Sequence, residues 1–334
     1  MNLLQSVPGV SYFTRPSKSK VKEKAKAVLS IEQRRVYGAE SLYNFRELYY
    51  LLGTRSSYTL TASDIAPPCI SEYLSEIGQY SEVADGSLPT TFLWENVSDL
   101  SQPGFPLDSR IYGAISDGTL VESIRGTVAD VHASIVYRTR KRQMIIGFSG
   151  TCTRDQALRD CYALKRAYIT PTPKLDKGLY VHTGFYDMYE GLRSGIKGAL
   201  KRAIEKYSDV EELIVTGHSL GAAMSYLWCL DMLQNPEDEP VKSGMKITIA
   251  VFGCPRLANG ALVKYWRRLV EEYRERHGAA SLTELSVRTW NDGMCSVGGL
   301  SCVDSLTGTV ITQVSRVFRQ RLQVTVISHK RPTF

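Results

Sequence analysis

Nothing in this 334-residue chain approaches the roughly 20 consecutive apolar residues that span a bilayer, so no transmembrane helix is expected. The opening "MNLLQSVPGVSYFTRPSKSK" puts a short apolar start ahead of its basic residues, the reverse of a secretory leader. The seven cysteines are odd in number, scattered and without C-x-x-C spacing. Together these absences favour reduced thiols and a cytoplasmic location. Repeats and low-complexity segments are absent too, and no residue cluster calls for a metal or an organic cofactor. There are only five histidines, which leaves few candidates for a general base.

The net charge of +7 is concentrated rather than spread. Between Arg15 and Arg35, eight Lys/Arg stand against only Glu23 and Glu32. As a helix this stretch places Val21, Ala25, Val28 and Leu29 on one face. Two readings fit: a basic amphipathic helix on an anionic membrane or lipid-droplet surface, or a solvated arm. Nucleic-acid binding is not expected, because no aromatic interleaving or recognition motif accompanies the charge.

Along the chain, "ESLYNFRELYYLL" (40–52) and "CISEYLSEIGQYSEVADG" (69–86) read as helices, the second after the Pro67-Pro68 breaker. "NVSDLSQPGFPLDS" is turn-rich. From about residue 120 strands and amphipathic helices alternate. "DVHASIVYRTRKRQMIIGFSGT" reads as two strands around a charged turn. Met188, Leu192, Ile196, Leu200 and Ile204 form one helical stripe. A strand over 213–216, a helix from Leu220, a strand over 247–252, a helix over 262–273 and a strand over 286–290 follow. This order predicts an α/β architecture with a mainly parallel sheet covered by helices. It divides into a basic and helical N-terminal extension (1–110), a main domain (111–293) and a C-terminal tail (294–334). In such sheets function collects at the carboxyl ends of the strands.

That is where Gly217-His218-Ser219-Leu220-Gly221 falls. A G-x-S-x-G between a buried strand and a helix is a nucleophile elbow, in which Gly217 and Gly221 give the close approach that exposes the serine hydroxyl. The competing reading is an ordinary tight turn. Leu220 offers a backbone N–H at the helix start for an oxyanion. Thr151, just past the strand end in "IIGFSGTCT", offers a second N–H and a hydroxyl. Downstream, Asp292 in "LSVRTWNDG" stands where a triad acid belongs, although Asp before Gly is also common turn chemistry.

"FSGT", "VHTGFYDMY", "VTGHSLGAA", "VFGCPRLAN" and "VRTWNDG", in that order, resemble the class 3, or fungal-type, lipases. The resemblance runs from about residue 76 to Gly293. It implies an α/β-hydrolase fold and hydrolysis of lipid esters of the acylglycerol type, with no cofactor. By position it makes Ser219 the nucleophile, Thr151 and Leu220 the oxyanion donors, Asp292 the acid, and "CTRDQALRDCYALK" a mobile lid.

The tail departs from the family pattern after Gly293. It lacks the proline-rich stretch, holds no Tyr or Trp and has Asp304 as its one acid, which fits an altered reading frame, a spliced end or a genuinely divergent tail. Of the histidines, His132 falls in an early strand, His182 in a packing motif, His218 inside the elbow and His277 at a helix end. Only His329 follows Asp292, just beyond the β-branched run "LQVTVIS", and it is the candidate triad base. The alternative is a lipase-like protein that binds lipid or a membrane surface without a competent base.

Overall fold

A computed structural model describes residues 67–86, 88–151, 165–171, 177–235, 241, 244–289, 309–315 and 324–330. The basic segment 15–35, the expected helix over 40–52, the lid segment 152–165 apart from Lys165, and Asp292 lie outside the described residues.

The first described element is α1 (Pro68–Asp85), which opens with a proline in its first turn, where the missing N–H removes no helical bond. Two short helices, α2 (Thr90–Glu95) and α3 (Val97–Leu100), follow. Next come strands β1 (Gly118–Arg125), β2 (His132–Arg138) and β3 (Gln143–Phe148), then a small pair, β4 (Lys165–Ala167) and β5 (Tyr180–His182). After α4 (Thr183–Lys206) the alternation becomes regular: β6 (Glu212–His218), α5 (Leu220–Gln234), β7 (Lys246–Phe252), α6 (Gly260–His277) and β8 (Leu282–Thr289). Strands β9 (Thr309–Ser315) and β10 (Val324–Lys330) complete the set. Among the described residues no helix is long and apolar enough to cross a membrane.

Eight strands form one sheet in the order β1-β2-β3-β6-β7-β8-β9-β10. The run β3-β6-β7-β8-β9 is parallel, while β1, β2 and β10 join by antiparallel pairing. The period-2 alternation of the strands splits their apolar residues between two cores. Leu213, Val215, Ile247, Ile249 and Val251 pack against α4, α5 and α6. Ile145, Ile214, Ala250, Leu285 and Val287 face the other way and meet Leu74, Ile77, Tyr80 and Val83 of α1. Helix α5 is buried on nearly every side, as its apolar composition requires of a helix at the centre of a sheet.

The parallel, helix-covered sheet matches the expected fold class. Features that went unread in the sequence include α2, α3, β1, the β4/β5 pair, β9 and the full length of β8, which starts four residues before Ser286. Helix α1, from within the expected N-terminal extension, is itself a layer of the main core. The tail likewise supplies β9 and β10 to the sheet. One expectation is corrected. His329 does not follow a strand end; it is the sixth of seven residues in β10 and pairs with Val310. The β-branched run before it carries the extended ladder on through Lys330.

Candidate active site

The site is built where β3 and β6 end side by side. Phe148 and Gly217 are partners in the parallel ladder, so the residues that follow each emerge at the same rim of the sheet. Beyond β6 the chain reverses within one residue. Ser219 has φ +52°, a left-handed conformation that a non-glycine residue holds at a cost of about 1–3 kcal/mol unless its surroundings impose it. They do: Ser219 N–H donates to the Phe252 carbonyl at the end of β7 (2.9 Å), and the Ser219 carbonyl accepts from Ala222 (3.1 Å) in the first turn of α5.

The glycines of the elbow have the steric role that the motif predicts. A Cβ on Gly217 would lie 2.6 Å from the Gly221 carbonyl oxygen, and one on Gly221 would collide with the Phe148 carbonyl oxygen while sitting 3.0 Å from that of Ser149. Ala222 and Ala223 are fully buried, as close helix packing demands. A serine in the N-cap position usually turns its oxygen back onto its own helix. Ser219 makes no such side-chain cap, and it is partly exposed at the rim. Its hydroxyl is therefore not committed to holding up α5. Leu220, 1% exposed, opens α5 with its backbone N–H in the first turn, where helical amides have no partner within the helix.

Thr151 lies three residues past Phe148 and is exposed. The structure thus brings Ser219, Leu220 and Thr151 to one rim between neighbouring strands. Asp292 lies outside the described residues, but β8 ends at Thr289 with the same polarity, two strands from β6. His329 lies in the ladder of β10, four strands from β6 in the sheet order and, by register through Val310, Ser286 and Val251, level with Gly217.

The other histidines are engaged elsewhere. His182, 1% exposed, caps α4 by accepting the Phe185 N–H at Nδ1 (3.4 Å) and stacks on the Phe185 ring at 4.1 Å. This is the packing role read from its motif. His132 in β2 lies 3.3 Å from Asp130. His277 ends α6 and packs on Tyr273. His218 Nδ1 donates to Asp85 (2.8 Å).

Asp85 is the residue that sequence reading missed. Its second oxygen accepts the Gly150 N–H, immediately before Thr151. A signal was present in its position: a carboxylate at the last residue of α1 opposes the helix dipole, an arrangement that asks for a local reason.

The eight-stranded, helix-covered sheet with a strained serine between β6 and α5 is the α/β-hydrolase fold. Within that fold the chain resembles the class 3 lipases: residues 145–289 match the family model described as Lipase (class 3). A lipase of Rhizopus niveus is 26% identical over 151 residues, 45% of this chain and 36% of the relative. A phospholipase A(1) of Arabidopsis thaliana is 28% identical over 151 residues, 41% of this chain and 31% of the relative. The matched stretch thus covers about a third of the length of these two relatives. Lipase II from Rhizopus niveus shares the fold with a TM-score of 0.56 at 17% identity, covering 80% of this chain and 87% of the other. The lipase from Rhizopus microsporus var. chinensis does so at 0.55 and 20% identity, covering 82% of each.

Proposed function

We propose that this protein is a serine carboxylic-ester hydrolase acting on acylglycerol-type lipids. The observation that carries the reading is the elbow: a serine at positive φ, uncommitted to capping, beside two glycines that only close backbone approach explains. The class 3 lipase match over 145–289 supports it. Ser219 Oγ attacks the ester carbonyl, the Leu220 N–H and Thr151 stabilise the oxyanion, and the alcohol leaves from an acyl-enzyme that water then hydrolyses. Asp292 is the triad acid. The proton passes through a histidine, and His329 is the one that follows the acid in the chain. In the arrangement described, His329 belongs to the edge strand β10, paired with Val310. The basic segment 15–35 is assigned the membrane or lipid-droplet contact that brings the enzyme to substrate. A reducing, cytoplasmic setting is part of the same proposal.

Hydrolysis of p-nitrophenyl butyrate by the 334-residue chain tests this reading. Ser219→Ala is expected to lower the rate by at least about 10³-fold. A parent rate no higher than that of Ser219→Ala would sink the enzyme reading. Equal loss in His329→Ala assigns the base to the tail, and an unchanged rate places the proton acceptor elsewhere.

A further inference from the structure

We propose that Asp85 is a positioning residue of this site: its carboxylate ties the loop after β3 to the elbow after β6, and so sets the separation across which Thr151 and Leu220 act on one oxyanion. The proposal rests on the ester-hydrolase reading. The two oxygens divide the work. Oδ1 accepts the Gly150 N–H, and Oδ2 accepts from His218 Nδ1 at 2.8 Å. Each donor stands one residue before a residue of the site, Gly150 before Thr151 and His218 before Ser219. With the Gly150 N–H occupied by Asp85, donor duty in this loop falls to Thr151.

The contact is close enough to dictate the residue opposite. A Cβ on Gly150 would lie 2.7 Å from Oδ1, so any larger residue there would displace the carboxylate from this contact. The carboxylate itself is held by a rigid strut. Helix α1 is pinned at the far end of the sheet, where the Tyr73 hydroxyl donates to Glu212 (2.9 Å) and Glu76 accepts from Arg138 (3.1 Å) and Lys141 (2.6 Å). Between its ends Leu74 and Ile77 are fully buried against the sheet. A negative charge at the last residue of a helix is locally unfavourable. Two donors across the gap offset it, and a local rule broken in favour of a longer-range contact marks a working position.

The test is steady-state hydrolysis of p-nitrophenyl butyrate by the full chain carrying Asp85→Ala, Asp85→Ser or Asp85→Asn, with Ser219→Ala as the silent control. Misplacing the loop is expected to lower kcat by about 10–100-fold in the Ala and Ser variants, with KM within about twofold of the parent. Asp85→Asn keeps an oxygen for the Gly150 N–H, and its NH2 can donate to His218 Nδ1 once the imidazole proton sits on Nε2, so it is expected to stay within about fivefold. Parental kcat in Asp85→Ala, with Ser219→Ala silent, overturns the positioning role and leaves the esterase reading intact. Loss in Asp85→Asn as large as in Asp85→Ala overturns it as well. Asp85→Ser carries the comparison where the Ala variant fails to show a cooperative thermal transition. Should the parent be no faster than Ser219→Ala, the esterase reading is the one that fails. Amide exchange at Gly150 then decides the tie: faster exchange in Asp85→Ala, with β6 and β7 amides unchanged, upholds it, and unchanged exchange overturns it.

Discussion

A methyl group on Gly221 would press on the Phe148 carbonyl oxygen and approach that of Ser149 to 3.0 Å, and both are backbone atoms at the end of a central strand. Neither can swing aside as a flexible side chain would. Gly221→Ala is therefore expected to cost about 3 kcal/mol or more, the upper end of overpacking effects, and to separate α5 from β3. A urea unfolding midpoint close to the parent's would contradict this. Gly260, whose added Cβ would meet nothing within 4 Å, is the control: the same substitution there should be neutral or mildly stabilising. The need for both elbow glycines was legible from the pentapeptide, because a strand-to-helix reversal leaves no room for side chains. Asp85 was not, because its partners are 65 and 133 residues away and nothing local names them.

At the scale of elements, β8, α5 and α6 meet around one buried carboxyl. Glu284 of β8 accepts from the Tyr226 hydroxyl of α5 (2.8 Å) and from the Trp266 indole N–H of α6 (3.4 Å). Burial pushes its pKa from 4.5 up to about 7, against the pull of Tyr226, Trp266 and the more distant Arg274 and Arg267. Between about pH 4.5 and 7 the folded protein keeps a proton at Glu284 that the unfolded chain has released. Stability therefore falls as pH rises through this window, by up to about 3 kcal/mol from this one group. Glu284→Gln, which resembles the protonated carboxyl, is expected to flatten that slope and to raise Tm relative to the parent at pH 8 while changing little at pH 5. Parallel Tm–pH curves for the two proteins would refute the assignment. The strand itself was readable from "LSVRTW", but its start at Leu282 and the partners of Glu284 were not, since a lone glutamate in a strand pattern reads as a solvent-facing position.

For the molecule as a whole, the described residues define one eight-stranded sheet that carries the candidate site, with the β4/β5 pair apart from it, and most of the excess positive charge lies outside them in residues 15–35. If that segment brings the protein to lipid, removing residues 1–36 should sharply reduce sedimentation with vesicles containing anionic phospholipid, and raising the salt concentration should weaken binding of the full chain. Hydrolysis of a soluble short-chain ester should be unchanged by the deletion. Vesicle binding that survives the deletion would show that some other surface holds the lipid.

Local patterning was enough to determine the α/β architecture, the elbow at Ser219 and the positions of Leu220 and Thr151 beside it. Each follows from short-range rules: hydrophobic period, strand-to-helix reversal, and the position of a residue at a strand's carboxyl end. Only the tertiary structure decided that α1 is a layer of the core, that Asp85 joins the two loops of the site, and that β10 holds His329 in its ladder. These depend on strand order and register, which arise from contacts between residues far apart in the chain.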